Sequence, residues 1–114
     1  MLNRTHRFHG LNSLNFAHQQ GKVVRGSVIN LKYVVNQRRS DYRVAVVVSK
    51  KVSKSAVVRN RIRRRVYEAI RLHAEIITKP YDLVFMVYSA DVATMDSSEL
   101  QDAIANQLRK AVVL

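Results

Sequence analysis

The segment from Lys50 to Arg65 limits the fold most strongly, because it combines a helical apolar pattern with a dense run of cations. Eight of its sixteen residues are lysine or arginine and none is acidic. Apolar residues recur three and four positions apart and predict an amphipathic helix over residues 55–77; they are Val58, Ile62, Val66, Ala69, Ile70 and Ile77. Arginines lie between these apolar residues, and the segment has no carboxylate that could pair with them. Burying an unpaired charge in a core is costly. The helix must therefore bury one face and leave the cationic face open.

The charge of the chain is divided unevenly along its length. Residues 1–67 hold 16 lysines and arginines against a single acid, Asp41, whereas residues 68–114 hold four against seven acids. The first part carries +15 and the second −3, which together return the net charge of +12. Cationic charge concentrated in one part of a chain is typical of proteins that bind a polyanion such as nucleic acid.

Several protein classes are disfavoured by composition. The chain has no cysteine, so disulfides, thiolate metal sites and cysteine nucleophiles are excluded, and a cytoplasmic location is expected. It has no apolar run of about 18 residues and no secretion-signal pattern at its start, so no membrane association is expected. Its 114 residues predict one RNA-binding domain over 1–114, with residues 1–10 as a flexible basic arm.

The first half of the chain predicts a helix followed by two strands. Residues 11–20 are expected to form a short helix that ends at Gly21. Residues 22–35 are rich in Val, Ile and Tyr and predict a strand; its core face would carry Ile29, Leu31, Tyr33 and Val35. Residues 42–49 predict a second strand with Val44, Val46 and Val48 facing the core. The two strands are most simply joined as an antiparallel hairpin.

The second half adds a strand and a helix. The apolar run Asp82–Tyr88 predicts a strand that is buried on both faces. Thr94–Val112 predicts the last helix, with Asp96, Ser97 or Ser98 as its cap. The order helix, hairpin, helix, strand, helix predicts an α+β sandwich in which helices pack against a mixed sheet.

Two segments, together with this order of elements, resemble the bacterial ribonuclease P protein subunit. One is Val-Ser-Lys-Lys at 48–51, and the other is Ala-Val-Val-Arg-Asn-Arg-Ile-Arg-Arg at 56–64. The hallmark of that family is an Arg-Asn-Arg core at the start of the long helix, here Arg59-Asn60-Arg61. The resemblance extends over nearly the whole chain, including its length and charge.

The resemblance implies a fold and a function. The fold would be a two-layer α/β sandwich with a left-handed β-α-β crossover. The chain would pair with the ribonuclease P RNA and help it to remove the 5′ leader from precursor tRNA. That RNA would carry out the hydrolysis with bound Mg²⁺, so the protein would supply no catalytic residue, no metal ligand and no small-molecule site.

The predicted surface for the catalytic RNA extends from the end of the second strand along the long helix. Its members are cations and one amide: Lys50, Lys51, Lys54, Arg59, Asn60, Arg61, Arg63, Arg64, Arg65 and Arg71. Arginine suits this role because its planar fork donates two parallel hydrogen bonds to a phosphate. Asn60, Arg64, Tyr67 and Arg71 are expected on the face opposite the apolar stripe. The alternative is a solvated helix face without a ligand.

A second predicted site is a cleft for the 5′ leader, between the first helix and the outward face of the sheet. Its members are Leu14, Phe16, His18, Asn30, Lys32, Arg43 and Ala45. Single-stranded RNA is usually held by base stacking together with a basic groove. Members of the family often carry two phenylalanines four residues apart on that helix, where this chain has Leu14 and His18. Phe16 is open to either role, as a stacking platform or as a core residue.

Other functions are compatible with part of this pattern. A ribosomal-protein-like structural RNA binder or an RNA chaperone fits the composition and fold class equally well. A DNA-binding regulator is less suitable, because a hairpin separates the first helix from the arginine-rich helix and no helix-turn-helix results. A hydrolase that acts without RNA lacks candidate residues, since no carboxylate pair, Ser/His/Asp set or glycine-rich phosphate loop is present.

Overall fold

The computed structural model describes residues 21–35 and 41–113, and these residues form an α+β fold. Four strands, two helices and two 3₁₀ turns follow one another along the chain: β1 (Lys22–Val24), β2 (Ile29–Val35), β3 (Arg43–Val48), α1 (Ala56–Leu72), a 3₁₀ turn (Ala74–Ile76), β4 (Tyr81–Val87), a second 3₁₀ turn (Ala90–Ala93) and α2 (Ser97–Val113). The predicted fold class, with helices and a mixed sheet, is confirmed. The predicted arm at 1–10 and helix at 11–20 lie outside the described residues.

The order of the strands differs from the predicted hairpin. The sheet has the order β1-β2-β4-β3, so β4 lies between β2 and β3. It runs antiparallel to β2 and parallel to β3. The prediction of an antiparallel hairpin between residues 22–35 and 42–49 is therefore wrong. The physical reason lies in β4, whose residues are apolar on both faces and which is buried along nearly its whole length, as a central strand must be.

A hairpin does exist, but within the segment that was predicted as one strand. β1 and β2 pair antiparallel, with Lys22 opposite Tyr33, around a turn at residues 25–28. The N–H of Gly26 donates to Oδ1 of Asn30 at 2.9 Å. A Cβ at Gly26 would lie 2.4 Å from the carbonyl oxygen of Ile29, so only glycine fits this turn. The Gly26-Ser27 pair was the overlooked turn signal.

The main core lies between the two helices and one face of the sheet. The helical stripe is confirmed over its central part, where Ile62, Val66, Ala69 and Ile70 are buried. Their partners in the core include Leu31, Phe85, Ile104 and Leu108. Helix α1 ends at Leu72, earlier than the predicted residue 77, because the chain turns at His73 and continues as a 3₁₀ turn. Val35, predicted on the core face, is exposed at the end of β2.

Helix α1 joins the parallel strands β3 and β4 and also covers the outer edge of β3. Tyr67 was predicted on the open face of the helix, and this prediction is wrong, since the residue is buried. Its hydroxyl accepts a hydrogen bond from the N–H of Val46 at 3.3 Å. β3 is an edge strand, so this amide has no strand partner on that side. A tyrosine can bury its ring while its oxygen satisfies the amide. The left-handedness of the crossover stays an expectation of the resemblance.

Candidate nucleic-acid interface

The start of helix α1 is fixed by two serines. Ser55 is the N-cap, and its hydroxyl accepts from the N–H of Val58 at 3.3 Å. The hydroxyl of Ser53 accepts in turn from the N–H of Ser55 at 3.2 Å. The first turn of the helix contains no acidic residue. The positive end of the helix dipole therefore coincides with a cationic stretch of sequence, an arrangement that favours anions.

Five cations around this helix start are exposed and form what we call the basic surface: Lys50, Lys51, Lys54, Arg61 and Arg64. Across residues 21–35 and 41–113, neither Arg61 nor Arg64 makes a side-chain hydrogen bond or an ion pair. Their guanidinium groups thus keep all of their donors available for a ligand. The two residues lie three positions apart on α1, which places them on neighbouring parts of one helix face.

Two further arginines bind protein oxygens yet keep their charge. Arg59 donates to the carbonyl of Ser53 at 2.9 Å. Arg63 donates to Oδ1 of Asn60 at 2.8 Å and approaches the carbonyl of Val48 at 3.5 Å. All of these acceptors are neutral, so the positive charges are not cancelled. Each guanidinium also has five N–H donors, which leaves some of them for phosphate.

Arg65 differs from its neighbours because it is directed towards the protein. One of its terminal nitrogens donates to the carbonyl of Val92 at 2.6 Å, and the other donates to the carbonyl of Met95. These carbonyls lie in the segment between β4 and α2. Arg65 therefore links helix α1 to the segment that precedes helix α2. Both terminal nitrogens of its guanidinium group are engaged in these hydrogen bonds.

Arg71 is paired with an acid one turn earlier on the same helix. Its guanidinium donates to both carboxylate oxygens of Glu68, and both side chains are partly exposed. The hydrogen bond from Arg71 is the largest cause that lowers the pKa of Glu68 to about 2. This pair partly neutralises the C-terminal half of α1, so the uncompensated charge is concentrated at the start of the helix.

The sheet face opposite the helices, here called the second sheet face, contains the predicted leader residues of the strands. Lys32 on β2, Val84 on β4 and Ala45 on β3 form one cross-strand row. Asn30, Met86 and Val47 form the next row. Ala45 and Val84 are buried and pack with Val34 and Met86 in a small apolar cluster of their own. The face thus has an apolar floor with polar side chains from β2 beside it.

Arg43 also lies on the second sheet face, where it is held by Asp82. Its Nε and a terminal nitrogen donate to the two carboxylate oxygens at 3.0 and 2.9 Å. Asp82 is fully buried, so the charge of Arg43 compensates a carboxylate that has lost its water. The arginine that sequence reasoning placed in the leader cleft is therefore largely engaged in an ion pair. Leu14, Phe16 and His18, predicted for the same cleft, lie outside the described residues.

Tyr88 is a candidate contact that the sequence analysis missed, because it was assigned to the end of a buried strand. It is 59% exposed and follows β4 directly. Its N–H donates to the carbonyl of Val28 at 2.8 Å, which continues the pairing of β4 with β2. Alternation along β4 places its ring on the same face as Met86, and its hydroxyl lies 3.9 Å from the sulfur of Met86. Applying the alternation of the strand to Tyr88 would have placed its ring on the same face as Met86.

The described residues offer little for a metal ion. Across residues 21–35 and 41–113, no group of three or more His, Cys, Asp or Glu side chains is placed to hold one. Within the same residues, no helix has the length and apolar character needed to cross a membrane.

Comparison with known proteins relates the chain to one family. The sequence model of a family described as Ribonuclease P matches residues 2–112. The chain is 35% identical over 113 residues to the ribonuclease P protein component of Chloroflexus aurantiacus, with 99% of this chain and 82% of that protein aligned. It is 37% identical over 95 residues to the ribonuclease P protein component of Clostridium botulinum, with 82% of this chain and 83% of that protein aligned.

Solved structures agree in fold. The RNase P protein of Staphylococcus aureus superimposes with a TM-score of 0.80 at 21% identity and covers 93% of this chain and 94% of its own. The RNase P protein from Thermotoga maritima superimposes with a TM-score of 0.81 at 20% identity and covers 91% of this chain and 96% of its own.

Proposed function

Because the chain belongs to the ribonuclease P protein family, we propose that it is the protein subunit of a ribonucleoprotein that matures the 5′ end of tRNA. In this proposal the chain is part of an endoribonuclease, while the phosphodiester hydrolysis is carried out by the partner RNA. Its partners are the ribonuclease P RNA and precursor tRNA. The observation that supports the proposal is the basic surface, whose arginines Arg61 and Arg64 are exposed and have no acidic partner among residues 21–35 and 41–113.

The basic surface is proposed to bind the backbone of the ribonuclease P RNA. Lys50, Lys51 and Lys54 extend the cationic area of Arg61 and Arg64 across the helix start. Arg59, Asn60 and Arg63 contribute their remaining hydrogen-bonding groups. Contacts of this type depend on charge and release counterions, so binding should weaken steeply with salt. Arg65 and Arg71 are assigned mainly structural roles, because protein oxygens occupy their guanidinium groups.

The second sheet face is proposed to bind the 5′ leader of precursor tRNA. Asn30 supplies an amide and Lys32 a cation beside the apolar floor of Ala45 and Val84. Tyr88 supplies an exposed ring on which a base can stack. Leu14, Phe16 and His18 remain predicted members of this cleft. A cleft of this kind would distinguish precursor from mature tRNA, because only the precursor has a leader.

The proposed division of labour gives the protein a binding role. Mg²⁺ ions, bound mainly by the partner RNA, would supply the activated water and stabilise the leaving oxygen. The cations of the basic surface would reduce repulsion between the two RNA backbones. The second sheet face would hold the leader in position, and this raises the population of substrate aligned for cleavage.

Reconstitution tests the proposal directly. Precursor tRNA would be incubated at low Mg²⁺ with the chain alone, with the ribonuclease P RNA alone and with both. We expect no cleavage by the chain alone, and faster cleavage at the mature 5′ end with both than with the RNA alone. Cleavage by the pure chain, or equal rates with and without it, would overturn the proposal. Equal affinity for precursor and mature tRNA would indicate a general RNA chaperone instead.

A further inference from the structure

The first turn of α1 exposes an apolar side chain that no role described above uses. Val57 is 75% exposed, which is more than any other large apolar residue among residues 21–35 and 41–113. The next residue, Val58, packs against the main core, so the helix directs one valine inwards and its neighbour outwards. Packing in the core therefore does not account for Val57, whose apolar surface stays in water unless a partner covers it.

Helix formation does not account for Val57 either. A β-branched side chain loses rotational freedom in a helix, so valine is a poorer choice than alanine or lysine at an open helical position. Lysine would also have added to the positive charge of the surface. An exposed valine at this position is therefore better explained by contact with a ligand than by the stability of the helix.

Val57 lies among the cations of the basic surface. Arg61 and Arg64 follow it by four and seven residues, which is the spacing of neighbours along one side of a helix. The helical rise places Arg61 about 6 Å and Arg64 about 10 Å further along the axis. Lys54 precedes Val57 by three residues and stands just before the N-cap Ser55. Exposed cations thus lie both before and after the exposed valine.

This order of cation, apolar residue and cation fits the minor groove of a base-paired RNA segment. The minor groove of an RNA helix is wide and shallow, and it displays the riboses between two lines of phosphates. Lys54 on one side and Arg61 and Arg64 on the other would bind phosphates, while Val57 would rest on the riboses. Valine has no flat face on which an unpaired base could stack, unlike the aromatic residues that hold single strands. The surrounding cations also repel a second copy of this chain.

We infer that Val57 is an apolar RNA contact that covers riboses in the minor groove of a base-paired segment of the partner RNA. The inference rests on the proposed function, because it takes the ribonuclease P RNA as the partner. Burial of apolar surface releases no counterions, in contrast to the binding of phosphates by arginine. Val57 and the arginines should therefore differ in how their loss changes the dependence of binding on salt.

Two substitutions at Val57 test the inference by filter binding of the ribonuclease P RNA over a series of salt concentrations. Val57→Ala removes most of the apolar surface, and Val57→Thr keeps the branched shape but adds a hydroxyl. Alanine has a higher helix propensity than valine and threonine a similar one, so neither change weakens the helix. Leu72→Ala is the matched control, because Leu72 is 44% exposed at the other end of the same helix. Circular dichroism would establish that each variant is folded.

Val57→Ala should bind the RNA roughly tenfold more weakly at every salt concentration, with the log–log slope unaltered. Val57→Thr should also weaken binding at constant slope, and Leu72→Ala should bind like the unaltered chain. Unchanged affinity of both Val57 variants would overturn the inference. A slope that falls as it does on loss of an arginine would overturn it too, because the variants would then be acting on phosphate contacts.

Hydroxyl-radical footprinting, which cleaves RNA at exposed riboses, would locate the contact in the reconstituted ribonucleoprotein. We expect protected riboses in a base-paired segment that become exposed with Val57→Ala and stay protected with Leu72→Ala. New cleavage confined to unpaired nucleotides would refute the inference, as would a change in the mass of the chain in solution with RNA binding intact. If the RNA binds and cleavage is stimulated while Val57 has no effect, only this inference fails; if the unaltered chain does not bind the RNA, the proposed function fails as well.

Discussion

Arg43 and Asp82 stand side by side on the parallel strands β3 and β4 and form a two-bonded ion pair on the second sheet face. The carboxylate is fully buried, and the arginine side chain is only 16% exposed. The pair therefore links the edge strand to the central strand at the end of the sheet where both strands begin. The carboxylate of Asp82 also compensates the positive charge of Arg43 at this end of the sheet.

Breaking this pair should destabilise the protein. Asp82→Ala leaves a guanidinium largely buried without its counter-charge, and we expect a loss of about 3 kcal/mol in the free energy of unfolding. Urea denaturation followed by circular dichroism would measure it. The double variant Arg43→Met with Asp82→Leu should recover part of the loss, because two apolar side chains need no compensation. A single variant as stable as the unaltered chain would contradict the role assigned to the pair.

The two exposed arginines of the basic surface should determine how RNA binding depends on salt. Arg61→Ala and Arg64→Ala should each weaken binding of the ribonuclease P RNA and lower the log–log salt slope by about 0.7 to 0.9. The fold should be unchanged, since neither side chain makes a hydrogen bond or ion pair within the described residues. Filter binding over a series of salt concentrations would give the slopes. Arg109→Ala, at an exposed position on α2, serves as the control and should leave the slope unaltered.

Arg65 should behave in the opposite way. Arg65→Ala removes the donors that satisfy the carbonyls of Val92 and Met95, and a cost of about 1–3 kcal/mol in the free energy of unfolding is expected. Arg65→Lys should recover only part of it, because an ammonium cannot reproduce the fork. Thermal denaturation would follow the effect. A salt slope reduced as much as by Arg64→Ala, with stability intact, would show that Arg65 contacts RNA instead.

Tyr88 should contribute to the affinity for the leader. Tyr88→Ala should weaken binding of precursor tRNA by about 1–3 kcal/mol, the usual range for one base stacked on an aromatic ring. Binding of mature tRNA should not change. Tyr88→Phe keeps the ring and should bind like the unaltered chain, which separates stacking from any effect of the hydroxyl. Equal losses for precursor and mature tRNA would refute a contact with the leader.

The pair of Glu68 and Arg71 predicts a specific acid response. The pKa of Glu68 is lowered to about 2 in the folded protein, against an ordinary value of 4.5. Its contribution to stability is therefore present above the ordinary value and is lost as the pH falls towards 2. Carboxyl NMR titration should show Glu68 ionised down to about pH 2, and Arg71→Met should raise its pKa towards the ordinary value. If the pKa of Glu68 stayed low in Arg71→Met, a group other than Arg71 would be stabilising the ionised carboxylate.

The local parts of the fold could be predicted from sequence, whereas the pairings between distant segments could not. The stripe of Ile62, Val66 and Ile70 is set by the helical period, which any short window of sequence contains. The apolar run of β4 indicates a strand that is buried on both faces, but it does not specify which strands lie on either side. The insertion between β2 and β3 depends on which strands bury most surface together. For the same reason the link between Arg43 and Asp82, 39 positions apart, could not be anticipated.

In the candidate site, too, local features could be predicted from the sequence, whereas contacts between distant segments could not. The cationic residues of α1 were identified from composition and spacing, and Arg61 and Arg64 are exposed as expected. The pattern could not show that Arg65 reaches two carbonyls of a later segment. Tyr67 was placed on the wrong face because helical spacing alone cannot reveal an edge amide that needs a hydroxyl.

The hydroxyl of Tyr67 on the amide of Val46, together with Arg63 near the carbonyl of Val48, has a consequence for self-association. Unpaired backbone groups along a sheet margin are where strands of other molecules attach and where fibrous aggregates grow. In this protein the helix that carries the basic surface also occupies that margin with its own side chains. A change that loosened the helix would expose the unpaired backbone groups of this sheet margin and would also disturb the basic surface.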